Sequence, residues 1–300
     1  MTSQVKSGSR AAKPGNSVLG RLSAISFMTP ASIFIGVFLF IPAVWTLYLG
    51  FTNYKLTGIT AAHPKIVGFA NFQKALHDPQ FISSFKLTLL YVLFSAILGQ
   101  AILGFLLAGV LSTVKPRIRS IVELIVICAW IVPGSIVTFL WVAFLNYDNG
   151  TLNRLTGQHI FWLLHDPFLS IVVFNTWRGT AFSMLLFSAA ITSIPKSHLE
   201  VARVAGATKM QQLRQIVLPS ARSFIFTNLL LITLWTFNDF GPFLLTGGGP
   251  GGKTELLPIF VYNKALKYLD FSYGSAIAAI MLLMNLVLAL IVIRAGRKNK

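Results

Sequence analysis

The chain has 300 residues, 55% of them hydrophobic and only 11% charged, and its mean hydropathy of +0.72 lies far above that of an ordinary water-soluble domain. This make-up excludes a soluble enzyme and places the chain in a membrane. The formal charge of +17 does not signal nucleic-acid binding, because Lys and Arg are spread over four separate segments where anionic lipid headgroups are the nearer partner.

A hydrocarbon core of roughly 30 Å needs about 20 apolar residues of helix. Six charge-poor runs satisfy this. No charged residue lies between Arg21 and Lys55, between Lys86 and Lys115, between Glu123 and Asp148, or between Asp270 and Arg294. Pro167 to Pro195 and Ser223 to Gly252 contain one charge each, Arg178 and Asp239. Backbone groups inside a bilayer must be satisfied within the spanning structure, and runs this long and uniformly apolar suit helices better than barrel strands. The expected fold is therefore all-α, a polytopic membrane protein with six transmembrane helices at 24–51, 87–113, 122–145, 168–193, 221–245 and 272–294, between basic tails at 1–21 and 295–300. The first run follows Lys6, Arg10, Lys13 and Arg21. At about twice the length of a secretory apolar core it reads as a retained helix.

Lys and Arg gather on the cytoplasmic side of spanning helices. The N-terminal tail holds 4, Ser112 to Ser120 holds 3, Lys196 to Arg222 holds 5 and the C-terminal end from Arg294 holds 4, whereas the three alternating loops, two of them long, hold 4, 1 and 3. Both termini are expected in the cytoplasm of a multi-pass inner-membrane protein. The single Cys128 allows no disulfide, and His63, His77, His159, His165 and His198 show no metal-ligand spacing.

The cytoplasmic segment from Lys196 to Pro219 carries helix punctuation of its own. Ser197 with Glu200 and Thr208 with Gln211 both fit a capping box, and Gly206 between them suits the left-handed residue that ends a helix. Two short helices joined by a glycine elbow are predicted, with Pro219 marking the return to the fifth span. An amphipathic helix lying on headgroups is the simpler reading of composition alone.

Glu200-Val201-Ala202-Arg203-Val204-Ala205-Gly206-Ala207, followed by Leu213, Ile216, Leu218 and Pro219, resembles the EAA loop of binding-protein-dependent ABC importer permeases. Glu200, Ala202, Gly206, Ala207, Ile216, Leu218 and Pro219 match that pattern, while Val201, Ala205 and Leu213 replace its usual Ala, Asp and Phe. Further stretches, among them Pro42 to Tyr54, Val67 to Phe81, Trp177 to Phe182, Leu245 to Pro250 and Tyr262 to Ala278, are similar to the carbohydrate branch of that family. The resemblance implies a type I importer permease fold and ATPase coupling through Glu200, Val201, Ala202, Arg203, Ala205, Gly206 and Ala207. It also implies a second homologous permease, two ATP-binding subunits that hold ATP and Mg, and an extracytoplasmic solute-binding protein, with no cofactor bound by this chain itself. Sugar import is the implied activity.

Gly247 to Thr254 spells a nucleotide phosphate loop letter for letter. A membrane helix before it and Pro258 shortly after it argue instead for a glycine turn, so an ATPase is the remote alternative and a stand-alone carrier or channel the nearer one. An ionised side chain inside a bilayer is unfavourable unless it faces a cavity or an opposite charge. Arg178 and Asp239 lie at similar depth, on the order of 10 to 15 Å below the outer surface at 1.5 Å per residue. Either they pin two helices as an ion pair, or they line a solute pathway with Tyr91, Asn175, Trp177, Trp235 and Asn238, which supply hydrogen-bonding groups and aromatic faces for a sugar. Gln100 and Asn285 read as bonds between helices. Trp45, Tyr48, Tyr147 and Tyr273 read as anchors at the membrane interface.

Overall fold

The structure, a computed structural model, describes residues 18–297, with side-chain surroundings for 25–296. The tail residues Lys6, Arg10, Lys13, Lys298 and Lys300 lie outside the described residues. Compact units meet between Tyr48 and Leu49. The first carries most of helix α1 (Ile25–Gly50), whose Phe27, Phe34 and Phe38 are exposed, as suits a surface against lipid, and which widens into a π turn at Gly36–Phe40.

The second unit is built of helices joined by turns and loops, and among its described residues the strand pairing is confined to one isolated bridge between Thr52 and Ile66. Its main elements are α2 (Ala70–His77), α3 (Pro79–Ser112), α4 (Pro116–Ile131), α5 (Gly134–Phe144), α6 (Pro167–Thr192), α7 (Lys196–Val204), α8 (Lys209–Phe237), α9 (Gly241–Thr246), α10 (Leu257–Tyr262) and α11 (Phe271–Arg297). Proline starts several of them, since its missing N–H costs nothing in a first turn and its φ is already helical. Pro79, Pro116 and Pro167 all stand in that place, and Asp78 caps α3 by accepting the Gln80 N–H at 2.9 Å.

Four helices, α1, α3, α8 and α11, are long and apolar enough to cross a membrane, and α4 with α5 gives a fifth if their 95° bend lies within one span. The bend corrects the straight third span expected at 122–145. Val132, held extended by the following Pro133, breaks the helix, and Pro133 has no N–H with which to mend it. Helix α6 is 26 residues long, yet Asn175, Thr176, Arg178, Thr180, Ser183 and Ser188 dilute its hydropathy. The fifth run differs as well: α8 ends at Phe237, eight residues before the expected 245, because Pro242 must sit in a first turn and forces a new helix, α9.

Helices α3 and α6 approach most closely through small residues, as membrane helices do when packing replaces the hydrophobic effect. A Cβ on Gly99 would collide with Thr176, one on Gly104 with Ser183, and one on Gly179 with Gln100. Around this seam Val92, Ile232, Phe237, Phe260 and Ile277 form one buried cluster, Ile171, Phe174, Leu245 and Ile259 a second, and Ala108, Met184 and Phe187 a third. Tyr273 is no interface anchor. It is buried in the first cluster, and its hydroxyl donates to Asp78 at 2.7 Å, tying α11 to the cap of α3.

Candidate functional site

Two regions collect the residues singled out by sequence. The first is the turn from α7 to α8. Helix α7 begins at Lys196 behind Pro195, so Ser197 already lies inside the first turn and makes no cap, contrary to the box expected there. At the other end Gly206 has φ +78°, Ala207 N–H donates to Ala202 O at 2.9 Å and Gly206 N–H to Arg203 O at 3.0 Å, the paired closure of a left-handed helix end. A Cβ on Gly206 would meet nothing within 4 Å, so the demand for glycine comes from the backbone angle alone. Thr208 then starts the next helix with a complete capping box: its N–H donates to Gln211 Oε1 at 2.7 Å, and Gln211 N–H donates to Thr208 Oγ1 at 3.3 Å. That next helix is not short. It runs from Lys209 into the membrane span through a π turn at Leu213–Val217, where Leu218 N–H reaches back to Leu213 O, and Pro219 is carried inside it. The wider turn relieves the clash a proline ring makes with the preceding turn. Along α7, Val201 is 68% and Val204 91% exposed, Glu200, Arg203, Ala205 and Gly206 are exposed, and Ala202 and Ala207 are half-buried. The result is a stiff, protruding hairpin with an apolar edge.

The second region is a cavity of about 600 Å³ bounded by α3, α4, α6 and the break between α8 and α9. Asn175, Arg178, Trp235, Asn238 and Asp239 line it, as do Gln100, Trp130, Thr236 and Phe240. Asp239 sits in the break itself. Its Oδ1 accepts the Gly241 N–H at 2.9 Å and its Oδ2 accepts the Tyr91 hydroxyl at 2.9 Å, while Arg178 Nη1 stands 4.0 Å from Oδ1. Asn175 Nδ2 donates to Ser95 Oγ at 2.7 Å, and Gln100 Nε2 donates to Asn175 O at 3.1 Å. Asn238 and Asn285 exchange two amide hydrogen bonds of 3.0 Å, joining α8 to α11. Aromatic faces complete the wall: Trp130 stacks on Phe182 at 5.8 Å, and Phe182 meets Trp235 edge-on at 4.8 Å.

Residues 100–298 match the family described as binding-protein-dependent transport system inner membrane component. The chain belongs to that family. It is 31% identical over 276 residues to a probable ABC transporter permease protein of Pyrococcus horikoshii, with 89% of this chain and 92% of the relative covered. It is 28% identical over 285 residues to the sulfoquinovosyl glycerol transport system permease protein SmoG of Agrobacterium fabrum, covering 92% and 91%. Its fold is that of a chain in the crystal structure of a bacterial alginate ABC transporter in complex with alginate pentasaccharide-bound periplasmic protein, with a TM-score of 0.78, 22% identity, and 94% of this chain and 96% of the other covered. The chain is thus an inner-membrane permease of multi-pass, type I ABC architecture.

Two of the permease's predicted pathway residues stand elsewhere. Tyr91 is fully buried and reaches the site only through its bond to Asp239. Trp177 lines a neighbouring, largely apolar cavity of about 450 Å³ that shares Trp130 and Arg178 with the first, and it packs on Trp141 at 5.7 Å. Conversely, Trp130, Thr236 and Phe240 went unnoticed in the sequence. Thr236 stands three residues before Asp239, a spacing that puts both near one helix face, but nothing local to α4 shows that the Val132–Pro133 break turns Trp130 inward. The Gly247–Thr254 stretch does not fit a phosphate. A helix, α9, precedes it, and Thr254 is buried with its hydroxyl 2.7 Å from Thr246 Oγ1 instead of facing outward.

Proposed function

We propose that this permease is one of two homologous membrane subunits of an ATP-driven importer that carries a sugar or sugar-like solute into the cytoplasm. The α7 hairpin carries the reading. A rigid helix with an exposed apolar edge, fixed at one end by Gly206 and continuous through α8 with the wall of the cavity, is what a separate motor needs to grip and push. Two ATP-hydrolysing subunits, holding ATP and Mg, would dock on the cytoplasmic side, one of them over Glu200 to Ala207. The alternation of Lys and Arg supports cytoplasmic termini. An extracytoplasmic binding protein would deliver solute from the other side, a role supported by the family's description and by the periplasmic protein seated on the alginate transporter. The solute class is supported by the Trp130 and Trp235 faces beside the amides of Gln100 and Asn175, and by SmoG's substrate. Closure of the ATPase pair on ATP would draw the two hairpins together and open the outer face, an alternation between two states.

In proteoliposomes holding the assembled importer, Glu200→Lys and Gly206→Pro are expected to leave membrane insertion intact while uncoupling ATP hydrolysis from uptake. Coupling retained in both variants would count against the proposal. The purified chain alone should be inert, whereas downhill flux through it would favour a stand-alone carrier.

A further inference from the structure

Arg178 and Asp239 are close but unequally satisfied. Each carboxylate oxygen of Asp239 already accepts a 2.9 Å hydrogen bond, from Gly241 N–H and from the Tyr91 hydroxyl, and its side chain is 14% exposed. Arg178 offers five N–H donors, and among the described residues its approach to an acceptor is the 4.0 Å separation from Asp239, beyond hydrogen-bond length. An ion pair whose purpose was to pin α6 to the α8–α9 break would close to about 2.7–2.9 Å. Here Tyr91 and Gly241 secure the carboxylate, and Arg178, its side chain 37% exposed, is left at the junction of the polar cavity and its apolar neighbour.

Shape holds the guanidinium in that place. A Cβ on Gly134, the first residue of α5, would lie 2.6 Å from Arg178 Nη2 and 3.0 Å from Cζ, so the 95° bend between α4 and α5 brings a bare backbone against it. The same bend places Trp130 in the cavity wall, which Trp235 also lines, both packing on Phe182. An arginine positioned by packing and short of acceptors in a membrane cavity that Trp130 and Trp235 also line requires oxygen atoms from elsewhere. Its planar fork matches the paired oxygens of an oxyanion better than it matches scattered hydroxyls.

We propose that the cavity takes a sugar bearing an anionic group, a carboxylate, sulfonate or phosphate, and that Arg178 is the residue that binds this group. Asp239 keeps the empty cavity near neutrality, so that the anion is recognised without being trapped. This inference rests on the reading of the chain as a solute permease.

The test uses the full importer in phosphatidylcholine nanodiscs, which supply no anionic headgroup, with intrinsic tryptophan fluorescence as the readout. Methyl glucuronide, glucose 6-phosphate and methyl sulfoquinovoside are each titrated against neutral methyl glucoside. At least one acid should bind about tenfold more tightly or better, the worth of charge-assisted hydrogen bonds to a fixed guanidinium. Arg178→Gln should erase the preference, Arg178→Lys should keep part of it, and Asp239→Asn should keep or enlarge it. If Arg178→Gln fails to assemble, Gly134→Ala, which displaces the guanidinium, should lower the preference instead. Binding of the neutral glucoside as tight as that of all three acids, or a preference that survives loss of the guanidinium, would overturn the inference while leaving the sugar-permease reading in place. Failure of every probe, acidic and neutral alike, would remove both.

Discussion

The hairpin at Pro195 to Thr208 and the cavity around Asp239 are built on different principles. Each bond that shapes the hairpin joins residues at most five apart: Ala207 to Ala202, Gly206 to Arg203, Thr208 to Gln211, Gln212 to Ala207. The cavity is held by bonds such as Tyr91 to Asp239, 148 residues apart, and Asn175 to Ser95, 80 apart. A part that must transmit force to a separate protein can be locally stiff and outwardly exposed, whereas a part that surrounds a solute must draw its walls from several helices. Damage to the hairpin should therefore spare folding and abolish coupling, and damage to the cavity's supports should appear first as lost stability.

Gly206→Pro gives the sharpest break. The ring fixes φ near −65° where the structure requires +78°, which costs about 1–3 kcal/mol of local strain and misdirects α7, so uptake by the assembled importer should fall at least about tenfold with membrane insertion unchanged. Asp239→Ala attacks the other region: the Tyr91 hydroxyl, on a fully buried ring, loses its acceptor, and thermal unfolding in detergent should report a loss of about 1–3 kcal/mol. Gly104→Ala should cost about 1–3 kcal/mol in the same assay, because its Cβ would strike Ser183 and backbone atoms of α6, while Gly109→Ala, where nothing lies within 4 Å, should be neutral or slightly stabilising. Smallest is the pair within the hairpin. Thr208→Ala should cost about 1 kcal/mol of helix-start stability and Ser197→Ala less than about 0.5 kcal/mol, read by hydrogen exchange over Lys196 to Gln212. Equal effects at Thr208 and Ser197 would show that the Ser197–Glu200 capping box forms after all and that α7 starts later than Lys196.

Much of the hairpin could be read from residue order. Gly206 and the Thr208–Gln211 box are signals that act over one helical turn, and the structure places both as expected. Ser197 misled because the same motif is silent once Pro195 starts the helix ahead of it. Pro219 misled in the opposite direction, since a π turn upstream makes room for a residue that ordinarily interrupts a helix. In the cavity, Arg178 and Asp239 stood out as single charges in long apolar runs. Their partners did not: Tyr91 reads as any aromatic in a span, and Trp130 owes its place to a bend three residues further on.

Residue order by itself determined that the chain crosses a membrane as helices, which stretches are apolar, and where the protruding turn lies, because the hydrophobic effect, proline and glycine stereochemistry and end-capping act between near neighbours. Tertiary structure alone decided that Asp239 is fully hydrogen-bonded while Arg178 is not, that Trp130 enters the cavity wall and Trp177 turns to the neighbouring apolar cavity, and that Gly134 seats the guanidinium. Those outcomes depend on the angles at which distant helices meet, and such angles are set by side-chain packing across the seams.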